Sequence, residues 1–503
     1  MPNYSKIKTR RHAELDKRDY IYRLIDNSYV GGTQYTSKDY LFRYPKETKY
    51  SYECRKKRAV YFNYVAPLLD LLVGFLFGTD PERNNIESLK ELVDDAGYGK
   101  SLDSLMRIVA LYSLKYPTGI LVDSPSFDQS QIQSEADRRD AGLNPYCLVY
   151  KPMQIRDFYY DEHNNLKWVL LDNSYVEKSN PVLEEMAIKI YRLWQENIWT
   201  DFYIVSQKDD ANDFISEKYD IRINKKDEVV LINEGNYNLS YIPFRFVNWR
   251  DADSDFIGES FVEDITLINQ SVFNTASYMD EMVAAGTFKM LTYQTETGEM
   301  PPELKSGGVG NLYAVPYGPG MNEPGFIGAD LQNVQPFLDS LTYLVVQMLK
   351  KVGVDTDDEK AFVKSGIAKK LDFEKVKTLL TAGATEMENT EKWIFETAGL
   401  WQRSTIDPEI KYTKDFMNDD IDDKLSRFAA LSMAMLPYKE TTKKIKKSML
   451  QTGMSGEITQ KEMNDCIKEI ETTETEVPSM DLRAMSQEES QNNNKEMQAD
   501  ETE

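Results

Sequence analysis

Histidine is nearly missing from this chain. Among 503 residues there are two, His12 and His163, each set among charged or polar neighbours and read as solvated surface. General acid–base catalysis and zinc hydrolysis both draw on imidazole, so the deficit removes the commonest catalytic designs. Reactive motifs are missing as well: no GxSxG, no HExxH, and no GxGxxG opening a helix. Gly99-Lys100-Ser101 is the nearest thing to a phosphate loop. The first glycine of GxxxxGK[ST] would fall at Asp94, and a helix precedes it, so a plain turn is expected. Only three cysteines occur, Cys54, Cys147 and Cys466, without CxxC spacing, which argues against a disulfide framework or thiolate zinc site and fits a reducing compartment. Long apolar runs are also lacking. The greasiest stretch, 64–78, contains Asp70 and falls short of the ~20 residues a membrane span needs. Residues 1–20 are charged with no apolar core, so no secretory signal is expected. Positive charge is the last shortage: 60 Lys and Arg against 83 Asp and Glu leave −23. That disfavours a protein that grips nucleic acid by neutralising many phosphates, while allowing one past which a duplex slides.

One acidic cluster invites a metal reading. Asp251, Asp253 and Asp255 match the first three ligands of a calcium loop, but its sixth position is Phe256 and its twelfth Val262. An acidic loop before a helix accounts for them better, with Glu259, Glu263 and Asp264 favoured at the helix's positive end. The basic run Lys443, Lys444, Lys446 and Lys447 reads as a solvated helix face, and the aromatics Tyr191, Trp194, Trp199, Phe202 and Tyr203 as sheet core. No metal and no cofactor is expected.

What is present is periodicity. Apolar residues recur at three and four over 14–29, 52–77, 86–96 (with Asn85 as a permissible cap) and 102–114, predicting helices. Alternation at 119–123, 146–150, 168–171, 188–194, 202–205 and 241–247 predicts strands. From Ser260 a long helix runs through Phe261, Ile265, Ile268, Val272, Ala276, Met279 and Val283 to Gly286. A glycine- and proline-rich insert with strands at 288–294 and 312–315 follows. Pro336 then opens a second apolar helix through Leu341, Leu344, Val345 and Met348. A glycine-bounded polar loop, a longer helix over 371–401 with Gly383 as a candidate bend, a strand at 410–416 and further helices complete the order. After Thr473 acids and amides dominate, and disorder is expected.

This order of elements over 260–451 resembles the central module of tailed-bacteriophage portal proteins. Arg55, Asn63, Pro67, Gly74, Phe77, Pro81, Gly97, Gly99, Ser101, the run 119–125, Pro145 and Tyr146 resemble a phage family associated with portals. The resemblance implies an α+β, mainly helical fold with wing, stem, clip and crown regions. It maps 1–258 to the N-terminal wing, 259–287 to the first stem helix, 288–331 to the clip and 332–352 to the second stem helix. The tunnel loop falls at 353–370, a long wing helix and strand at 371–417, crown helices at 418–472 and an acidic tail at 473–503. It further implies a non-enzymatic ring of twelve subunits at one capsid vertex, through which double-stranded DNA passes without tight binding. Expected partners are the terminase large subunit, a head-completion or adaptor protein, and the major capsid and scaffolding proteins, with no membrane; the expected location is the virion, assembled in the bacterial host cytoplasm. Lys350, Lys351, Asp355, Lys360 and Lys364 are the expected channel residues, and Tyr293, Glu296, Glu299 and Glu303 the expected clip docking residues. Two alternatives stay open: another virion structural or scaffold protein, and a metal-dependent carboxylate enzyme built on 251–263.

Overall fold

The computed structural model describes residues 4–125, 144–178, 185–224, 227–249, 257–287, 290–295, 312–316, 325–327, 334–351, 366–414 and 416, together with 443, 447, 450 and 466–470. Two compact units divide the chain, Met1–Phe416 and Met417–Glu503. The described residues of the second are helical; most of the expected crown helices and the acidic tail lie outside the described residues.

The first unit mixes helix and sheet. Its opening helices are α1 (Ser5–Thr9), α2 (Ala13–Val30), α3 (Gly32–Thr36), α4 (Lys49–Arg58), α5 (Val65–Leu76), α6 (Lys90–Asp94) and α7 (Leu102–Lys115). Local chemistry sets their ends. Glu14 and Asp16 occupy the first turn of α2, and Gly31 closes it at φ 68°. The Thr48 side chain accepts the Ser51 N–H at α4, as Ser101 accepts that of Ser104 at α7. Gly97, Gly99 and Ser101 therefore belong to a turn, with the Gly97 and Gly99 N–H groups donating to the Asp95 carboxylate.

One helix predicted over 52–77 is two. The chain breaks between Arg58 and Val65 because Tyr61 is drawn inward, stacking on Tyr35 at 3.7 Å and donating its hydroxyl to the Ser28 carbonyl. Asn63 organises the restart: its Oδ1 accepts the Ala66 N–H while its Nδ2 donates to the Tyr29 carbonyl. The helix predicted over 86–96 shrinks to a 3-10 turn, Glu87–Leu89, and the short α6. Asn85 does not cap it. That residue takes φ 59° and donates instead to the Asp407 carbonyl.

Strand β1 (Glu82–Asn84) precedes α7, and the β-rich part follows: β2 (Thr118–Asp123), β3 (Tyr146–Tyr150), β4 (Ile155–Tyr160), β5 (Leu166–Asp172), β6 (Tyr175–Glu177), β7 (Met186–Ile188), β8 (Ile190–Gln195), β9 (Ile198–Ile204), helix α8 (Asp209–Tyr219), β10 (Val229–Asn236) and β11 (Phe244–Val247). The strands form an antiparallel five-stranded sheet, order β10-β9-β8-β5-β4, an antiparallel three-stranded sheet, order β11-β2-β3, and a β6–β7 pair. Tyr191, Trp194, Phe202 and Tyr203 are buried, which makes them sheet core. The strand predicted from Tyr241 starts only at Phe244, after Pro243, and lies on an edge. Strands β4 and β10 and helix α8 fall in segments that alternation does not reveal. Asp157 interrupts β4, and Asn233, Glu234 and Gly235 weaken β10, which forms through its pairing with β9.

His12 corrects the surface reading. It is half-buried, stacks on Phe158 at 4.3 Å, and its Nδ1 is enclosed with no partner among the described residues. His163 is exposed in the β4–β5 turn.

The remaining elements are α9 (Glu263–Thr287), β12 (Met290–Thr295), β13 (Leu312–Pro316), β14 (Gly325–Ile327), α10 (Val334–Lys351), α11 (Gly366–Trp401) and β15 (Glu409–Lys411), the last pairing antiparallel with β1. Gly383 marks no break in α11. A Cβ there would come within 2.1 Å of the Trp249 indole, whose Nε1–H donates to the Leu379 carbonyl, so close packing requires the glycine. On the inner side of α11, Glu391 is fully buried between Arg83 and the Tyr412 hydroxyl.

Candidate functional site

Helix α9 is 25 residues long, about 37 Å at 1.5 Å per residue. Its inward side is only partly apolar. Ile265, Val272, Phe273 and Ala276 are buried, and so are Thr266, Asn269, Gln270, Asn274 and Ser277. A buried polar stripe calls for hydrogen-bond partners; Gln270, Asn274 and Ser277 find theirs in the segment before and within α4, while the Thr266 hydroxyl and the Asn269 amide have none among the described residues. The Asn274 Oδ1 accepts the Phe42 N–H at 2.7 Å, while Asn274 Nδ2 and Gln270 Nε2 donate to the Tyr40 carbonyl at 3.2 and 3.3 Å.

Arg55 completes this clamp. It is 2% exposed, donates to both oxygens of Glu47 at 2.9 Å each, to the Phe42 carbonyl and to the Ser277 Oγ, and lies over Tyr44 at 4.6 Å. The Arg55 hydrogen bonds hold the Glu47 carboxyl below the usual range. One turn further along α9, Glu281 pairs with Arg58. Arg55 was legible only as a residue carrying the family resemblance; its role as a clamp was not.

After α9 comes a small sheet, order β13-β12-β14, in which β12 and β13 run parallel and β14 antiparallel to β12. Its third strand has no forerunner in the alternation pattern. Helix α10 returns with Pro336 in its first turn, where the missing N–H costs little. Met348 is fully buried, Leu341, Leu344, Val345 and Leu349 pack against the main core, and Leu338 and Tyr343 are exposed. The last turn carries Lys350 and Lys351. Lys351 Nζ meets Asp264 Oδ2 at 2.6 Å, so the end of α10 lies beside the start of α9. The two helices are thus an antiparallel pair, packed along their length, with the insert at one end and this ion pair at the other.

The predicted site residues distribute unevenly. Lys350 and Lys351 are exposed at the end of α10, the latter held by Asp264. Tyr293 lies on β12 opposite Ala314. Glu296, Glu299, Glu303, Asp355, Lys360 and Lys364 lie outside the described residues, as do Asp251, Asp253 and Asp255. The acid character of α9 is partly neutralised, since Asp264 and Glu281 each have a cationic partner. Among the described residues no group of three or more His, Cys, Asp or Glu could hold a metal ion, and no helix is long and apolar enough to cross a membrane.

Three solved structures of gene transfer agent (GTA) particles resemble this chain. The neck of the empty GTA particle, computed with C6 symmetry, and the virion of the native particle each align at TM-score 0.38 and 10% identity, covering 75% of this chain and 88% of theirs. The neck of the native particle, computed with C12 symmetry, aligns at TM-score 0.37 and 9% identity, covering 80% and 88%. No family model and no curated protein matches the sequence.

Proposed function

We propose that this protein is a portal subunit of a tailed-phage-like virion. Copies close into a ring at one capsid vertex, with double-stranded DNA packaged and later ejected through the centre. Helices α9 and α10 are the stem, the β12–β14 insert is the clip that docks the terminase motor and later the head-completion proteins, and α11 belongs to the wing. The role is mechanical, with no catalytic turnover, and the protein resides in the virion after assembly in the host cytoplasm.

The observation that carries this reading is the antiparallel pair α9/α10, joined by a small β insert, closed by Asp264–Lys351 and followed by the 36-residue α11. This is the element order of the portal family's central module. Leu267 and Val283 on α9 and Leu338 and Tyr343 on α10 are exposed, and in a closed ring a neighbouring stem would cover such side chains. A ring of about twelve copies multiplies the charge of −23 per chain, a repulsion that counterions screen within about 8 Å at physiological salt. Assembly is therefore salt-dependent.

Negative-stain imaging of the purified full chain across a salt series tests the proposal. Closed rings with a central hole are expected; particles that stay monomeric or open at every salt concentration refute it.

A further inference from the structure

Charge is distributed very unevenly along this chain. Residues 1–58 hold 15 Lys and Arg against 7 Asp and Glu, a net of +8, so residues 59–503 carry −31 of the total −23. Part of this positive charge lies on one surface. Phe42, Arg43, Tyr44 and Lys46 are exposed, and on α4 Lys49, Tyr50, Glu53 and Lys57 share the face opposite the buried Arg55. Tyr50 is 79% exposed between two lysines. Lys46, Lys49 and Lys57 have no ion pair among the described residues. Exposed aromatic side chains bordered mainly by cations, with Glu53 the one acid among them, have the composition of an interface anchor with a charged rim.

The complement is on the same chain. Helix α8 turns Ala211 and Ile215 toward the sheet, leaving Asp210, Asp213 and Glu217 together on its outward face. Residues 209–220 contain five acids and a single lysine. The packing cluster under α8 (Ile188, Ile190, Tyr203, Ala211, Ile215, Ile232) shares no residue with the cluster beside α4 (Leu24, Tyr35, Tyr40, Leu41, Ala59, Tyr61, Phe273). A heterologous contact needs two different patches on one chain that complement each other. We infer that the Phe42–Lys57 surface docks the acidic face of α8 on a second copy of this chain. Opposed charges then set the register of the contact and offset the repulsion between two acidic chains. This inference rests on the ring reading above and adds to it which surfaces meet.

The test uses three full-length variants beside the wild type, all read for association by mass photometry over a concentration series at about 0.15 M salt, where charges beyond about 8 Å are screened. Lys46→Glu/Lys49→Glu/Lys57→Glu should raise the half-assembly concentration at least about tenfold, with an unchanged circular dichroism spectrum. Asp210→Lys/Asp213→Lys/Glu217→Lys should do the same. Combining all six changes in one chain restores the pairing with reversed sign and should recover assembly. Wild-type assembly by the lysine variant, or no recovery in the six-fold variant, overturns the inference. Loss of double-stranded DNA retention by the lysine variant with assembly untouched would reassign the surface to phosphate and also overturn it. A wild type that forms dimers or open chains, lost in each triple variant and recovered in the six-fold one, keeps this pairing while sinking the ring. A wild type monomeric throughout sinks both.

Discussion

Replacing Arg55 by methionine tests whether the N-terminal segment is locked to α9 by a buried charge. The guanidinium is 2% exposed and its Glu47 partner 7%, so truncation leaves a carboxylate in a poorly solvated site. Removing one partner of such a pair costs about 3–5 kcal/mol, because the remaining charge is uncompensated. Lost hydrogen bonds to the Phe42 carbonyl and Ser277 Oγ add to this, at about 1 kcal/mol each. The double variant Arg55→Met/Glu47→Gln removes the stranded charge and should recover most of the loss, so the two single effects should not add. Urea unfolding followed by tryptophan fluorescence gives the free energies, and limited proteolysis within 38–58 reports whether the segment has detached. A single-variant cost below about 1 kcal/mol, the range of an exposed ion pair, would refute the picture of a buried clamp.

Other positions give contrasting expectations. Gly383→Ala should destabilise by about 1–3 kcal/mol through overpacking against Trp249 and alter tryptophan emission; Trp249→Leu in the same chain should relieve part of it. Lys351→Ala removes an ion pair whose side chains are 54% and 63% exposed, so thermal unfolding should change by the equivalent of no more than about 1 kcal/mol. For pH, burial pushes the Asp26 carboxyl upward, but the Lys115 and Lys151 ammoniums outweigh it and leave it below its usual range; Glu47 is lowered by Arg55. A lowered carboxyl stabilises the fold above its unfolded pKa, so stability should hold from neutrality to about pH 5 and fall on further acidification. Asp26→Asn should flatten that acid limb in denaturation curves measured at stepped pH.

The helices at Ala13–Val30, Leu102–Lys115, Glu263–Thr287 and Val334–Lys351 were readable because one wall of each packs on a core, imprinting a three-to-four spacing on the apolar residues. Strands β2, β3, β5, β8 and β9 were readable from β-branched and aromatic runs. Helix α8 was not, since only Ala211 and Ile215 are buried, too few to set a period. The break at 59–64 was missed because apolar spacing continues through it; Tyr61 leaves the helix for a pocket formed with Tyr35 and Phe273.

Composition, periodicity and punctuation, all local properties, determined by themselves the acidic balance, the scarcity of reactive groups, the long helices and the insert between two of them. Tertiary structure alone decided which charges meet. Arg55 reaches Ser277 across 222 positions and Lys351 reaches Asp264 across 87, and no local pattern encodes a contact made by folding distant segments together. The same contacts turn an acid-bearing helix into a partly neutralised one and tie Lys351, at the end of α10, to the start of α9.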